Sequence, residues 1–125
     1  MEKRIVILGA AESGVGAAIL AQKKGFEVFV SDMGSIKPQY KDMLNEYGIE
    51  WEEGTHTEEK ILNADEIIKS PGIPNNTPMV QAIEEKVIPI ISEIEFAVPA
   101  DGKTTASVTY YIHNSKNDLY YRKQW

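Results

Sequence analysis

With 125 residues, 42% hydrophobic and 26% charged, the chain has the size and composition of one globular domain and no room for a second of full size. It has no cysteine, which excludes disulfides, thiolate metal sites and cysteine nucleophiles, and two isolated histidines are too few for a histidine-built metal centre. Thirteen Lys and Arg against nineteen Asp and Glu leave a net charge of -6, which disfavours nucleic acid and anionic membranes as partners, so any phosphate site has to be local.

Met1 to Arg4 leads directly into Ile5-Val6-Ile7-Leu8 rather than into an apolar signal core, and no run approaches the roughly 18 apolar residues of a membrane span. A cytoplasmic location is therefore expected. Arg4 to Leu8 is a short β-branched run stopped by Gly9, the pattern of a parallel strand buried on both faces. From Ser13 the chain carries small residues, then apolar residues at helical spacing, then Lys23-Lys24 and Gly25, a helix with both ends marked. Glu27 to Asp32 reads as a second strand and Pro38 to Tyr47 as a second helix, with Tyr40, Met43, Leu44 and Tyr47 on one side. Ile49 to Glu52 is a weaker third strand. Thr57 opens a short acidic helix through Leu62, and Glu66 to Ser70 is a fourth strand that ends at Pro71.

Asn76 or Thr77 can cap a helix that has Pro78 in its first position and runs to about Lys86. Ile88 to Ile91 is a fifth strand, and Ser92-Glu93-Ile94-Glu95 has the capping-box spacing that begins a last short helix. Five strands alternating with helices require right-handed crossovers and a parallel sheet covered on both faces, an α/β fold. The alternation stops after Val98, so residues 1–98 are the expected domain. Residues 99–125 are a polar, tyrosine-rich appendage.

Gly9-Ala10-Ala11-Glu12-Ser13-Gly14 stands between the first strand and its helix, where a glycine-rich turn aims free backbone N–H groups at a phosphate. Gly9 permits the tight turn and Gly14 close helix packing, but Ala11 replaces the glycine that lets backbone approach a pyrophosphate. A plain strand-helix turn is the alternative. Glu12 has to face outward for phosphate to bind. Asp32 ends the second strand, where a carboxylate either accepts a hydrogen bond from a ribose or base edge or is a solvated strand-end cap. Ser70-Pro71-Gly72-Ile73-Pro74 ends the fourth strand, and in the order 3-2-1-4-5 it flanks the same crevice as the Gly9 turn; otherwise it is turn punctuation. Gly102-Lys103-Thr104-Thr105 has the end of a phosphate-cradling loop, but Ala97 stands where that loop needs its first glycine and Pro99 interrupts the approach. His56 and His113 are expected to face solvent. Trp51 and the tyrosines are expected to pack.

With these residues placed, the chain resembles the N-terminal domain of the Mur ligases of peptidoglycan synthesis, in particular the D-glutamate-adding branch. The resemblance covers residues 3–98, and weakly 102–113. It is carried by Ile5 to Gly9 with Ser13-Gly14, by Asp32, by Ser70 to Pro74 and by Ile91 to Glu95. It implies a five-stranded, Rossmann-like domain, with expected strand order 3-2-1-4-5, that holds the UDP of UDP-N-acetylmuramoyl-L-alanine rather than NAD. Glu12, Ser13 and Gly14 would hold the pyrophosphate, and Asp32, Met33, Ser70 and Gly72 would line the uridine side. ATP, Mg²⁺ and the chemistry belong by the same resemblance to a central domain, of which Gly102, Lys103, Thr104 and Thr105 look like a remnant. The chain on its own is then expected to be a truncated form without a bound cofactor, catalytic residues or turnover. Two other functions use the same residues: an NAD-binding module, and an interaction domain with no small ligand.

Overall fold

The computed structural model describes residues 3–93 and Phe96. The expected boundary at Val98, the appendage beyond it, and with them Gly102 to Thr105 and His113, lie outside the described residues. The elements alternate as β1 (Arg4–Leu8), α1 (Glu12–Lys23), β2 (Glu27–Asp32), α2 (Pro38–Glu46), β3 (Glu50–Glu53), α3 (Glu58–Ile61), β4 (Glu66–Lys69), α4 (Pro78–Glu85) and β5 (Ile90–Ser92). All strand pairs are parallel and the order is β3-β2-β1-β4-β5. None of the described helices is long and apolar enough to cross a membrane.

The period-two alternation of β1 divides the core. Ile5 and Ile7 pack with Val15, Ala18 and Ile19 of α1 and Leu44 of α2 on one face. Val6 and Leu8 pack with Phe29, Ile61 of α3 and Ile83 of α4 on the other. Ile5, Val6, Ile7 and Leu8 are all buried, and each branched side chain removed from water in this way is worth roughly 1.5–3 kcal/mol. Trp51 is packed as expected, partly buried against the first face with its Nε1 donating to Asn45 Oδ1 at 2.9 Å.

Register decides what meets at the carboxyl ends of the strands. Leu8 is paired with Ser31 on one side and Lys69 on the other, which places Gly9 beside Asp32 and Ser70. The expected fifth strand begins two residues late, because Ile88 N donates to Ile83 O and closes α4. Pro89 has no N–H to give, although its carbonyl accepts from Ile67 N. Glu93 and Phe96 are helical, in keeping with a helix after β5.

Candidate functional site

The turn after β1 is built on two close approaches. Gly9 has φ +100°, and a Cβ there would come 3.0 Å from Ser70 Cβ; left-handed backbone and a touching neighbour both require glycine. At Gly14 the constraint is contact alone, since a Cβ would lie 1.9 Å from Gly9 O. The first turn of α1 is thus pressed onto the end of β1. Its N–H groups at Glu12, Ser13 and Gly14 have no intrahelical acceptor by helix geometry, and Ala11, in the N-cap position, has no side-chain cap to offer. This is the arrangement in which a helix start is open to an anion.

Asp32 holds this turn. Its Oδ2 accepts from Ala10 N at 2.8 Å and its Oδ1 from Gly34 N at 2.8 Å. Of the two alternatives for Asp32, the solvated strand-end cap does not describe it: both oxygens accept backbone N–H groups, and each retains a lone pair. The turn after β4 is held from within. Lys69 Nζ donates to Ile73 O at 2.7 Å and Ser70 O at 3.3 Å, while Ser70 Oγ accepts from Gly72 N at 3.4 Å.

Between the two turns opens a cavity of about 640 Å³. Asp32, Met33, Ser70 and Gly72 line it, as do Gly9, Ala10 and Ala11. Glu12, Ser13 and Gly14 are not among its lining residues; they stand one step behind the rim, in the first turn of α1. The opposite wall comes from Ile73, Pro74, Thr77, Pro78 and Met79, because α4 begins here with Thr77 Oγ1 accepting from Val80 N. Thr77 and Pro78 carried only a capping signal in the sequence, whereas Ile73 and Pro74 belong to the Ser70 to Pro74 segment expected to flank the crevice. Among the described lining residues none is Lys or Arg, and the charged ones are Asp32 and Glu58.

His56 was expected to face solvent, and this is corrected. It is half-buried and lines the cavity, with Nδ1 2.7 Å from Ser31 Oγ. The available signal was Ser31, a hydroxyl inside an otherwise apolar strand. Burial pushes the His56 imidazole below its ordinary range and outweighs the opposing charges of Glu52 and Asp32. Glu52 is also raised by burial, but hydrogen bonds from the Thr57 backbone and hydroxyl and from Ser31, with the charge of Lys60, bring it below the usual carboxylate range. At the end of β5, Glu93 is buried, with Oε1 unpaired among the described residues. Burial pushes it up to about 7 against the opposing charge of Lys69.

Residues 4–79 match the family described as the MurD N-terminal domain. The chain belongs to this family. The match runs from β1 to the first turn of α4 and includes every described residue that lines the cavity. Among curated relatives, the UDP-N-acetylmuramoylalanine--D-glutamate ligase of Bacteroides thetaiotaomicron is 57% identical over 125 residues, covering 90% of this chain and 28% of the relative. The ligase of the same name from Bacteroides fragilis (strain ATCC 25285) is 55% identical over 125 residues, with the same coverage. Among solved structures, UDP-N-acetylmuramate:L-alanyl-gamma-D-glutamyl-meso-diaminopimelate ligase from Neisseria meningitides superposes with a TM-score of 0.69 at 26% identity, over 78% of this chain and 31% of that one. The chain thus spans little more than a quarter of the curated relatives' length.

Proposed function

We propose that the cavity binds the uridine diphosphate end of a UDP-N-acetylmuramoyl substrate, UDP-N-acetylmuramoyl-L-alanine in the D-glutamate-adding branch. The observation that carries this reading is the uncapped start of α1 held against the Ser70 turn across Gly9, at the crevice where a doubly wound sheet reverses its strand order. Backbone N–H groups of Glu12, Ser13 and Gly14 take the pyrophosphate. Asp32, Met33, Ser70 and Gly72 take the uridine. With no Lys or Arg among the described lining residues, neutralisation comes from the helix start, and affinity is weak.

ATP and Mg²⁺, which serve the parent ligase by resemblance, do not fit this cavity. Among the described residues no group of three His, Asp or Glu side chains converges to hold a metal ion, and a triphosphate brings more negative charge than one helix start offsets. The domain is accordingly a binding module, with turnover left to other parts of the ligase. Titration of the full chain with UDP, UDP-N-acetylmuramoyl-L-alanine and NAD, followed by NMR, tests this. Both uridine ligands are expected to bind more tightly than NAD and to shift residues 9–14 and 70–73. Tighter binding of NAD, or shifts confined to other residues, would overturn it.

A further inference from the structure

Ser31 is fully buried in β2 and pairs across the sheet with Glu52, so the two side chains emerge on one face. Ser31 Oγ is 2.7 Å from Glu52 Oε2 and 2.7 Å from His56 Nδ1. The Glu52 carboxylate also accepts from Thr57 N at 2.8 Å and Thr57 Oγ1 at 2.6 Å. Donor and acceptor accounting then determines the protons. An ionised carboxylate only accepts, so the single hydroxyl proton of Ser31 goes to Glu52 in preference to the Thr55 carbonyl at 3.1 Å. Ser31 Oγ can receive a bond at His56 only if Nδ1 carries the imidazole proton. Nε2 is then a bare lone pair. The Nδ1 edge is anchored on a fully buried residue while the ring lines the cavity, and Nε2 has no hydrogen-bond partner among the described residues.

We infer that His56 Nε2 is a specificity-determining acceptor in the nucleotide site, receiving a hydroxyl proton of the ligand's ribose. Asp32, His56 and Glu58 all contribute acceptors to the cavity. They favour the donor-rich sugar and repel the phosphates, so they orient the nucleotide as well as hold it. Two acceptors from neighbouring strand ends, Asp32 and His56, suit the adjacent hydroxyls of a ribose better than the single imide N–H of a uracil. Ser31 and Glu52 are positioning residues that hold the tautomer.

The inference rests on the proposed uridine nucleotide site, and its test separates the two. Titrations of the full chain and its His56→Phe variant would use UDP, 2′,3′-dideoxy-UDP and N3-methyl-UDP. Loss of one hydrogen bond is expected to weaken UDP and N3-methyl-UDP about tenfold in His56→Phe, and dideoxy-UDP hardly at all. His56→Gln, whose amide oxygen can replace Nε2, should recover part of the loss. Imidazole ¹⁵N shifts of the free wild type should show Nδ1 protonated and Nε2 bare, and Ser31→Ala should mix the tautomers. UDP binding left unchanged by His56→Phe, equal losses for UDP and dideoxy-UDP, or a protonated Nε2 would overturn the inference alone. Selective loss for UDP over N3-methyl-UDP would assign the contact to the base and overturn the ribose assignment. Failure of the wild type to bind UDP would overturn the functional reading and the ligand half of the inference together.

Discussion

The two ends of the sheet use glycine for different reasons. At the amino ends, Gly25 and Gly48 follow α1 and α2 with φ +92° and +68°, and a Cβ on either would meet nothing within 4 Å. Those glycines serve a backbone dihedral alone. The position after α4 takes Val87 at φ 59° instead, almost wholly exposed, so even a β-branched side chain is accommodated there at a cost in strain. At the carboxyl ends, Gly54 after β3 is of the same kind, with φ +76° and open space, but Gly9 and Gly14 have a neighbour where the Cβ would be. Side chains grip backbone at both ends: Arg4 donates to Lys60 O at the amino end, and the Asp32 carboxylate and the Lys69 ammonium hold backbone at the carboxyl end. The comparison locates function at the end where close approach, and not only dihedral freedom, is conferred by glycine.

The strongest way to break this contrast is the same substitution at both ends. Gly14→Ala is expected to cost about 3 kcal/mol or more, because its Cβ can be accommodated only by moving α1 off Gly9 O. Gly25→Ala should cost about 1 kcal/mol, the left-handed penalty alone. Urea unfolding of both variants measures the difference, and equal losses would remove the distinction between the ends.

Asp32→Asn gives the next largest effect. The amide has one acceptor oxygen where the carboxylate has two, so one of the bonds to Ala10 N and Gly34 N is lost and an NH₂ group is turned toward an N–H. A stability loss of about 2 kcal/mol is expected, since a bond to a charged acceptor is worth roughly 1.5–3 kcal/mol. UDP affinity should fall together with it. An unchanged melting temperature with weakened UDP binding would show that Asp32 serves the ligand and not the turn.

A further test works through pH. The carboxyl of Glu93 is held at about 7 in the folded chain against an ordinary 4.5. The folded state therefore binds more protons than the unfolded state between these values, and stability from this group falls as pH rises through that window. Glu93→Gln removes the penalty, so its melting temperature should exceed that of the wild type at pH 8 and approach it at pH 4.5. A constant difference across this range would place the cause in packing instead of ionisation.

Much of the site could be read before the fold was known, because its turns are written locally. Gly9, Asp32 and Ser70-Pro71-Gly72 each end an apolar run, and chain-end placement in a parallel sheet brings such ends to one side. His56 was misread for an equally physical reason. Its neighbours in sequence, Thr55 and Thr57 in an acidic segment, describe an exposed loop, and its burial comes from Ser31, twenty-five positions away. The part of the wall from Thr77 to Met79 was read as a helix start, and nothing local says that a helix start faces a cavity.

The sequence by itself determined the alternation of strands and helices, the parallel sheet, and the helix ends at Gly25 and Gly48. These follow from hydrophobic period, from the handedness of crossovers and from the freedom of glycine, all properties of short stretches of chain. Tertiary structure alone decided that Gly9 touches Ser70, that Asp32 spends its oxygens on Ala10 and Gly34, and that Ser31 meets the His56 imidazole at the cavity. Most of these contacts depend on register between strands. A slip of one residue keeps every local pattern intact but moves each side chain to the other face of the sheet, so only the packed core, which accepts a single register, could make the choice.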